Sequence, residues 1–168
     1  MSDIWDLYDK SLNITNKTIK KGETIPTGYY HLSVEIWIMN SKNEVLLLRN
    51  NWDYKKIYPG IWRCLTGNLN TKENVNDCII RLMKEKIGVD FDLKDLTVLG
   101  PHLKEKYNYA YFTCIIKKNI LIDSLNINNN IYMDAKYVNK EELLKMCNNG
   151  EIAYYLVSRI KEEVLKYF

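Results

Sequence analysis

Residues 58–89 read YPGIWRCLTGNLNTKENVNDCIIRLMKEKIGV. Within them Val75, Cys78, Ile79, Leu82, Met83 and Ile87 recur at helical spacing, which predicts a helix over about 73–87. Gly88 supplies the stop, and Thr71 is placed to cap the start. Gly67 and Gly88 permit tight backbone at either end, so 67–89 reads as a loop–helix–loop. Positions 82, 85 and 86 are related by i, i+3 and i+4 and therefore share one helix face. That face carries Leu82, Glu85 and Lys86.

Working outward, residues 30–39 (YHLSVEIWIM) alternate with period two. Leu32, Val34, Ile36 and Ile38 fall on one face, Ser33, Glu35 and Trp37 on the other, as in a strand. A turn at Asn40–Asn43 leads to a second strand over 44–49, so 31–49 is expected to form an antiparallel hairpin. Residues 3–21 read as a further, N-terminal hairpin with a polar turn near Lys10–Asn13. The long connection 50–66 contains Pro59-Gly60, and a connection of that length is often functional. Strands are expected near 95–99, 107–116 and 131–138, a short helix over 140–148, and a last helix over about 153–167 that buries Leu156, Ile160 and Val164. The order of strands, one helix, more strands and then helices predicts an α+β fold: one domain over 1–168 with a mixed sheet between helices.

Composition narrows the classes. The chain has 168 residues, 46% hydrophobic and 27% charged, which suits one soluble globular core. A net charge of +3 with scattered lysines gives no basic stripe of the kind a nucleic-acid reader presents. Cys64, Cys78, Cys114 and Cys147 show no CxxC spacing and no histidine partner, which argues against zinc. The opening MSDIWDLYDK lacks the features of a secretory signal, and no apolar run reaches the length of a membrane span, so a cytoplasmic protein with reduced thiols is expected. Edge strands and an aromatic hairpin would permit a homodimer without demanding one.

The stretch resembles the box of the Nudix hydrolase family: G, five residues, E, seven residues, then R-E-U-x-E-E-x-G-U with U apolar. Gly67, Glu73, Arg81, Met83, Glu85, Gly88 and Val89 stand in register, and Pro59-Gly60-Ile61-Trp62 is similar to the family's P-G-x-W approach. The N-terminal hairpin resembles that of the isopentenyl-diphosphate isomerase-like subgroup. Cys64 is offset, however, and Asn68 stands where such isomerases carry His. The resemblance implies a Nudix-like sheet between helices with a hairpin extension. It implies a framework role for Gly67, Glu73, Arg81 and Gly88. It also implies a metal site for Mg²⁺ or Mn²⁺ on the helix face, because clustered carboxylates hold hard cations that neutralise a diphosphate and activate water.

Two of the three carboxylates on that face are replaced, by Leu82 and Lys86, and Glu85 remains as the one catalytic and metal-binding candidate. Leucine offers no ligand, and lysine brings a positive charge to where the cation would sit. Glu105, Asp123 and Asp134 are candidates for a further carboxylate. Lys86, Arg63, Lys55 and Lys56 are candidate phosphate ligands. Trp62 could stack on a base or anchor packing, and Tyr107, Tyr109, Tyr111 and Phe112 could form a nucleotide platform or pack in the sheet. His31 and His102 have no visible partner in the sequence. Two functions follow. One is a hydrolase that cleaves the diphosphate bond of a nucleoside diphosphate linked to another group, with a weakened metal site. The other is a silent module, with no required cofactor, that binds a phosphorylated small molecule or a protein partner.

Overall fold

The computed structural model describes residues 3–53 and 58–168. Strand β1 (Ile4–Tyr8) and strand β2 (Ile14–Lys20) form a two-stranded antiparallel sheet, the expected N-terminal hairpin. Its buried Leu7 and Ile19 pin it to the body. Backbone bonds between Tyr8 and Tyr30 continue the attachment, at 2.8 and 2.9 Å.

A seven-stranded mixed sheet forms the body. Strand β3 (His31–Met39) lies at its centre. The other strands are β4 (Val45–Asn50), β5 (Trp62–Arg63), β6 (Leu65–Asn68), β7 (Leu96–Lys104), β8 (Tyr109–Lys117) and β9 (Tyr132–Val138). β3 pairs in parallel with β8 along its whole length, and β7 closes that edge antiparallel to β8. The expected hairpin 31–49 survives only at its turn, where Met39 faces Val45. The two strands then diverge because β6 takes the edge of β3 from Ser33 to Ile36, while β4 pairs with β9 and β5. The opening left by this divergence holds the site described below.

Helix α1 (Val75–Ile87) lies on one face of the sheet. It starts at Asn74, whose side chain accepts from the Asp77 amide at 2.8 Å, and Asp77 answers on the Asn74 amide. Thr71 is therefore not the cap; its hydroxyl donates to Asp6 of the hairpin at 2.7 Å. Gly88, at φ 70°, ends the helix in the left-handed conformation, and a Cβ there would meet the Asn126 side chain at 2.6 Å. Leu32, Val34, Ile36 and Ile38 meet Cys78, Ile79, Leu82, Met83 and Ile87 in one core. Each such large side chain removed from water stabilises the fold by about 1.5–3 kcal/mol.

The opposite face is covered by α2 (Lys140–Asn148) and α3 (Tyr154–Glu162). Trp37, Met39 and Leu47 pack there against Leu143, Leu156 and Ile160. The expected last helix 153–167 is interrupted at Glu163, where φ is −123° and a 3₁₀ turn over Val164–Tyr167 follows. Glu163 turns its carboxylate to His102 of β7 at 2.8 Å instead of continuing the helix. Strand β7 is longer than the expected 95–99 and absorbs a bulge between Leu99 and His102.

Candidate functional site

Where β3 and β4 part, β6, α1, the N-terminal hairpin and α3 enclose a cleft of about 540 Å³. One wall is built by the loop–helix–loop. Arg81 of α1 reaches back to Glu73 with a paired set of bonds, Nε to Oε1 at 2.5 Å and Nη2 to Oε2 at 2.9 Å. Its Nη2 also donates to the Asn68 carbonyl at 2.8 Å, which ties helix, loop and β6 together. Burial alone would raise the Glu73 carboxyl. The Arg81 bonds and the Asn70 amide outweigh it and hold the group below its ordinary value. Gly67 is needed because a Cβ there would stand 2.5 Å from the Leu82 side chain. Of the residues to which the resemblance gives a framework role, Gly67, Glu73 and Arg81 meet on this wall, and Gly88 ends the same helix.

The active face of α1 is different in kind. Leu82 is 2% exposed and belongs to the core. The Glu85 side chain is 60% exposed at the cleft edge and, among the described residues, is bonded to Arg81 Nη1 alone, at 3.3 Å. Lys86 points into the cleft and donates to the Thr66 carbonyl at 2.5 Å. Burial pushes its amine down to about 7, with Arg63, Lys21 and Arg81 adding to the effect.

The opposing wall comes from β3, β8 and α3. His31, Ser33 and Glu35 alternate onto the cleft side of β3. Glu35 is ion-paired with Arg159 of α3, and the two side chains are 4% and 5% exposed. Arg159 also donates to the Tyr109 hydroxyl at 2.6 Å and lies 3.7 Å over the centre of the Tyr111 ring. Trp5 of the hairpin stacks on His31, with ring centres 4.6 Å apart and an interplanar angle of 15°. Burial lowers the His31 imidazole to about 4, so it is neutral at pH 7.

The candidates sort accordingly. Arg63, Lys86 and Glu85 share the cleft, whereas Lys55 and Lys56 lie outside the described residues. Glu105 is bonded to Lys10, Asp123 lies in an exposed 3₁₀ turn and Asp134 accepts from the Ala135 amide; none of the three lines the cleft. Trp62 is buried in the α2–α3 core as a packing anchor, and His102 is occupied by Glu163 away from the cleft. Tyr109 lines the cleft, Tyr111 supports Arg159, Phe112 packs on the core and Tyr107 is exposed. Cys78 and Cys114 are buried thiols raised to about 12 by desolvation, hence inert.

Glu35, Arg159, Trp5 and Asp3 were not among the sequence candidates. A signal existed for two of them. Glu35 is a charge flanked by Val34 and Ile36, on a strand face that continues into Trp37 and Met39. Arg159 sits at i+3 from Leu156, beside Ile160, on the buried stripe of its helix.

The donor set can be tested against a divalent cation. The carboxylates on the cleft are Asp3, Glu35 and Glu85, and each is already tied to a cation: Lys21, Arg159 and Arg81 respectively. Among the described residues no three His, Cys, Asp or Glu side chains converge on a cation site. This set does not fit a hard divalent ion, which needs several free oxygen ligands.

Comparison with known proteins bears on the same region. The NUDIX domain model matches residues 29–155. The chain belongs to the Nudix family. This Nudix chain is 27% identical over 159 residues to an uncharacterized Nudix hydrolase of Listeria monocytogenes, covering 93% of this chain and 92% of that protein. A crystal structure from Deinococcus radiodurans superposes with a TM-score of 0.76 at 16% identity, covering 94% of this chain and 98% of the other. The NUDIX domain of Shewanella oneidensis NrtR, solved with ADP ribose, gives a TM-score of 0.58 at 15% identity, over 80% and 88% of the two chains. These structural likenesses establish the α+β Nudix fold. No helix of the described residues is long and apolar enough to cross a membrane.

Proposed function

We propose that this Nudix domain binds a nucleoside diphosphate linked to another group, and that Lys86 receives the diphosphate in place of a divalent cation. The observation that carries this reading is the Lys86 amine, set in the cleft on the Thr66 carbonyl at the position where the box otherwise has a carboxylate. Arg63, Arg81 and Lys21 stand around the same cleft, so an arriving diphosphate meets a preassembled positive field. Its oxyanions supply a counter-charge that Lys86 lacks among the described residues, raise the amine's proton affinity and draw a proton from solution on binding. Leu82, buried in the core, offers such a ligand nothing but shape.

Hydrolysis of the same ligand is the second reading, favoured by Glu85 at the cleft edge and by the hydrolase names of the relatives. In that reading Glu85 is the catalytic carboxylate and would also have to hold Mg²⁺ or Mn²⁺ with help this wall does not provide.

A thermal-shift titration with ADP-ribose separates the two. A rise in Tm that is the same in EDTA and in millimolar Mg²⁺ or Mn²⁺, without release of AMP, supports binding. A rise seen only with metal, or AMP released with it, sinks binding in favour of hydrolysis. The double substitution Leu82→Glu with Lys86→Glu adds a control: it should create a metal-dependent shift that the native chain lacks.

A further inference from the structure

The wall of the cleft opposite α1 carries a charged group whose partners are incomplete. Glu35 is 4% exposed, one of its oxygens is held by Arg159, and its Oε2 has no hydrogen-bond partner among the described residues. Arg159 cannot swing to serve both oxygens freely, because Tyr109 accepts from it at 2.6 Å and Tyr111 lies 3.7 Å beneath it. A buried carboxylate oxygen left without a donor costs at least as much as a lost hydrogen bond, roughly 1–3 kcal/mol. Two residues along the same face, past Ser33, His31 presents a second buried polar atom, its Nδ1, without a hydrogen-bond partner among the described residues. The flat Trp5–His31 stack lies beside it.

The register of the sheet fixes the order of the backbone positions along this wall. Glu35 stands directly across from Thr66 in the β3–β6 pair, and the Thr66 carbonyl is the one that holds Lys86. Opposed residues in an antiparallel pair have Cα atoms only about 4.5–5.5 Å apart. His31 is four residues further along β3, about 13 Å at a strand's rise per residue. One cleft therefore holds a cation for phosphate, a carboxylate acceptor and an aromatic wall. A nucleoside diphosphate has three matching parts: diphosphate, ribose and base.

We propose that Glu35 is the ribose-reading residue of the cleft: its free Oε2 accepts a hydrogen bond from a ribose hydroxyl, while the base lies against the Trp5–His31 stack. This rests on the reading that the cleft takes a nucleoside diphosphate. Arg159 is a positioning residue that holds Glu35 in place and leaves one oxygen free. A carboxylate is suited to the task because it accepts from a hydroxyl strongly and repels a misplaced phosphate.

The test uses the whole chain in EDTA at pH 7, with inorganic diphosphate, ADP and 2′,3′-dideoxy-ADP as probes in titration calorimetry. ADP should bind at least about tenfold more tightly than its dideoxy form, the usual worth of a hydrogen bond to a charged group. Glu35→Gln should reduce that preference to within a factor of two. The comparison on the unaltered protein stands even where Glu35→Gln fails to fold. Equal affinity for ADP and dideoxy-ADP, with diphosphate binding intact, overturns the ribose role and leaves the phosphate reading standing. Failure of diphosphate and ADP alike overturns both.

Discussion

Two arginine–glutamate pairs frame the cleft, and they do opposite things with similar chemistry. Arg81 and Glu73 are eight residues apart and partly open to solvent, and both carboxylate oxygens are bonded. Arg159 and Glu35 come from opposite ends of the chain, are buried, and leave one carboxylate oxygen without a partner among the described residues. The first pair closes a loop on itself and fixes shape. The second joins a central strand to the last helix and holds a charge in the wall of the cleft. Completeness of hydrogen bonding, more than the identity of the residues, separates a strut from a site.

Removing one partner of the buried pair should give the largest effect. Arg159→Met strands the Glu35 carboxylate away from water and should cost about 3–5 kcal/mol in urea unfolding. The double change Glu35→Met with Arg159→Met should recover most of that loss, because the remaining surface is apolar and of similar volume. A single-variant loss below about 1 kcal/mol would place the two pairs on the same footing and end the contrast.

The strut should yield a smaller and pH-dependent loss. Arg81→Gln removes charge-assisted bonds worth about 1.5–3 kcal/mol. Because Glu73 is held below its ordinary value of 4.5 in the fold, its contribution is full above that pH. It fades as pH falls through the lowered folded value. Melts of the native chain and Glu73→Gln between pH 3 and 6 should therefore converge on the acid side and separate above about pH 4.5.

The difference between the pairs also explains what the sequence could convey. Gly67, Glu73, Arg81 and Gly88 act within one loop–helix–loop, so their spacing is their geometry, and the resemblance carries it intact. The strands and α2 were legible from period-two and helical patterns for the same local reason. Glu35 and Arg159 meet only because β3 sits at the centre of the sheet and α3 returns over it, and no local spacing encodes that. The hairpin 31–49 is antiparallel as expected but keeps its pairing only at the turn, because strand pairing is decided by competitors: β6 takes the rest of that edge of β3. The contribution of Trp5 and Asp3 to the cleft is likewise a matter of docking, through Asp6 to Thr71 and the Lys72 amide.

Lys86 lies between the two walls and sharpens the contrast by its titration. Its amine is held down to about 7 in the fold, against 10.5 in the unfolded chain. Between those values the unfolded chain binds a proton that the fold does not, so this residue's penalty is greatest at and below pH 7 and vanishes as pH nears 10. Lys86→Met should accordingly melt above the native chain at pH 6, with the gap narrowing by pH 9.5. Saturating inorganic diphosphate should narrow it at pH 6 as well, since the bound anion stabilises the ammonium in the native chain alone.

The smallest effect should come from Glu85, the residue that the resemblance ranks first for catalysis. Its side chain is 60% exposed and its bond to Arg81 is an i, i+4 contact of 3.3 Å, a geometry worth about 0.3–0.5 kcal/mol. Glu85→Gln should shift Tm by no more than a degree or two, and Arg81 should keep its bonds to Glu73 and Asn68. That near-silence makes Glu85 the cleanest probe of chemistry in the cleft, because folding does not confound it. If ADP-ribose binding in EDTA is unchanged in Glu85→Gln, the carboxylate is neither strut nor ligand contact, and the cleft works through Lys86 and Glu35. A loss of metal-dependent turnover in that variant, with Tm unmoved, would instead return the active role to α1 and make the framework pair the support of a working catalytic face.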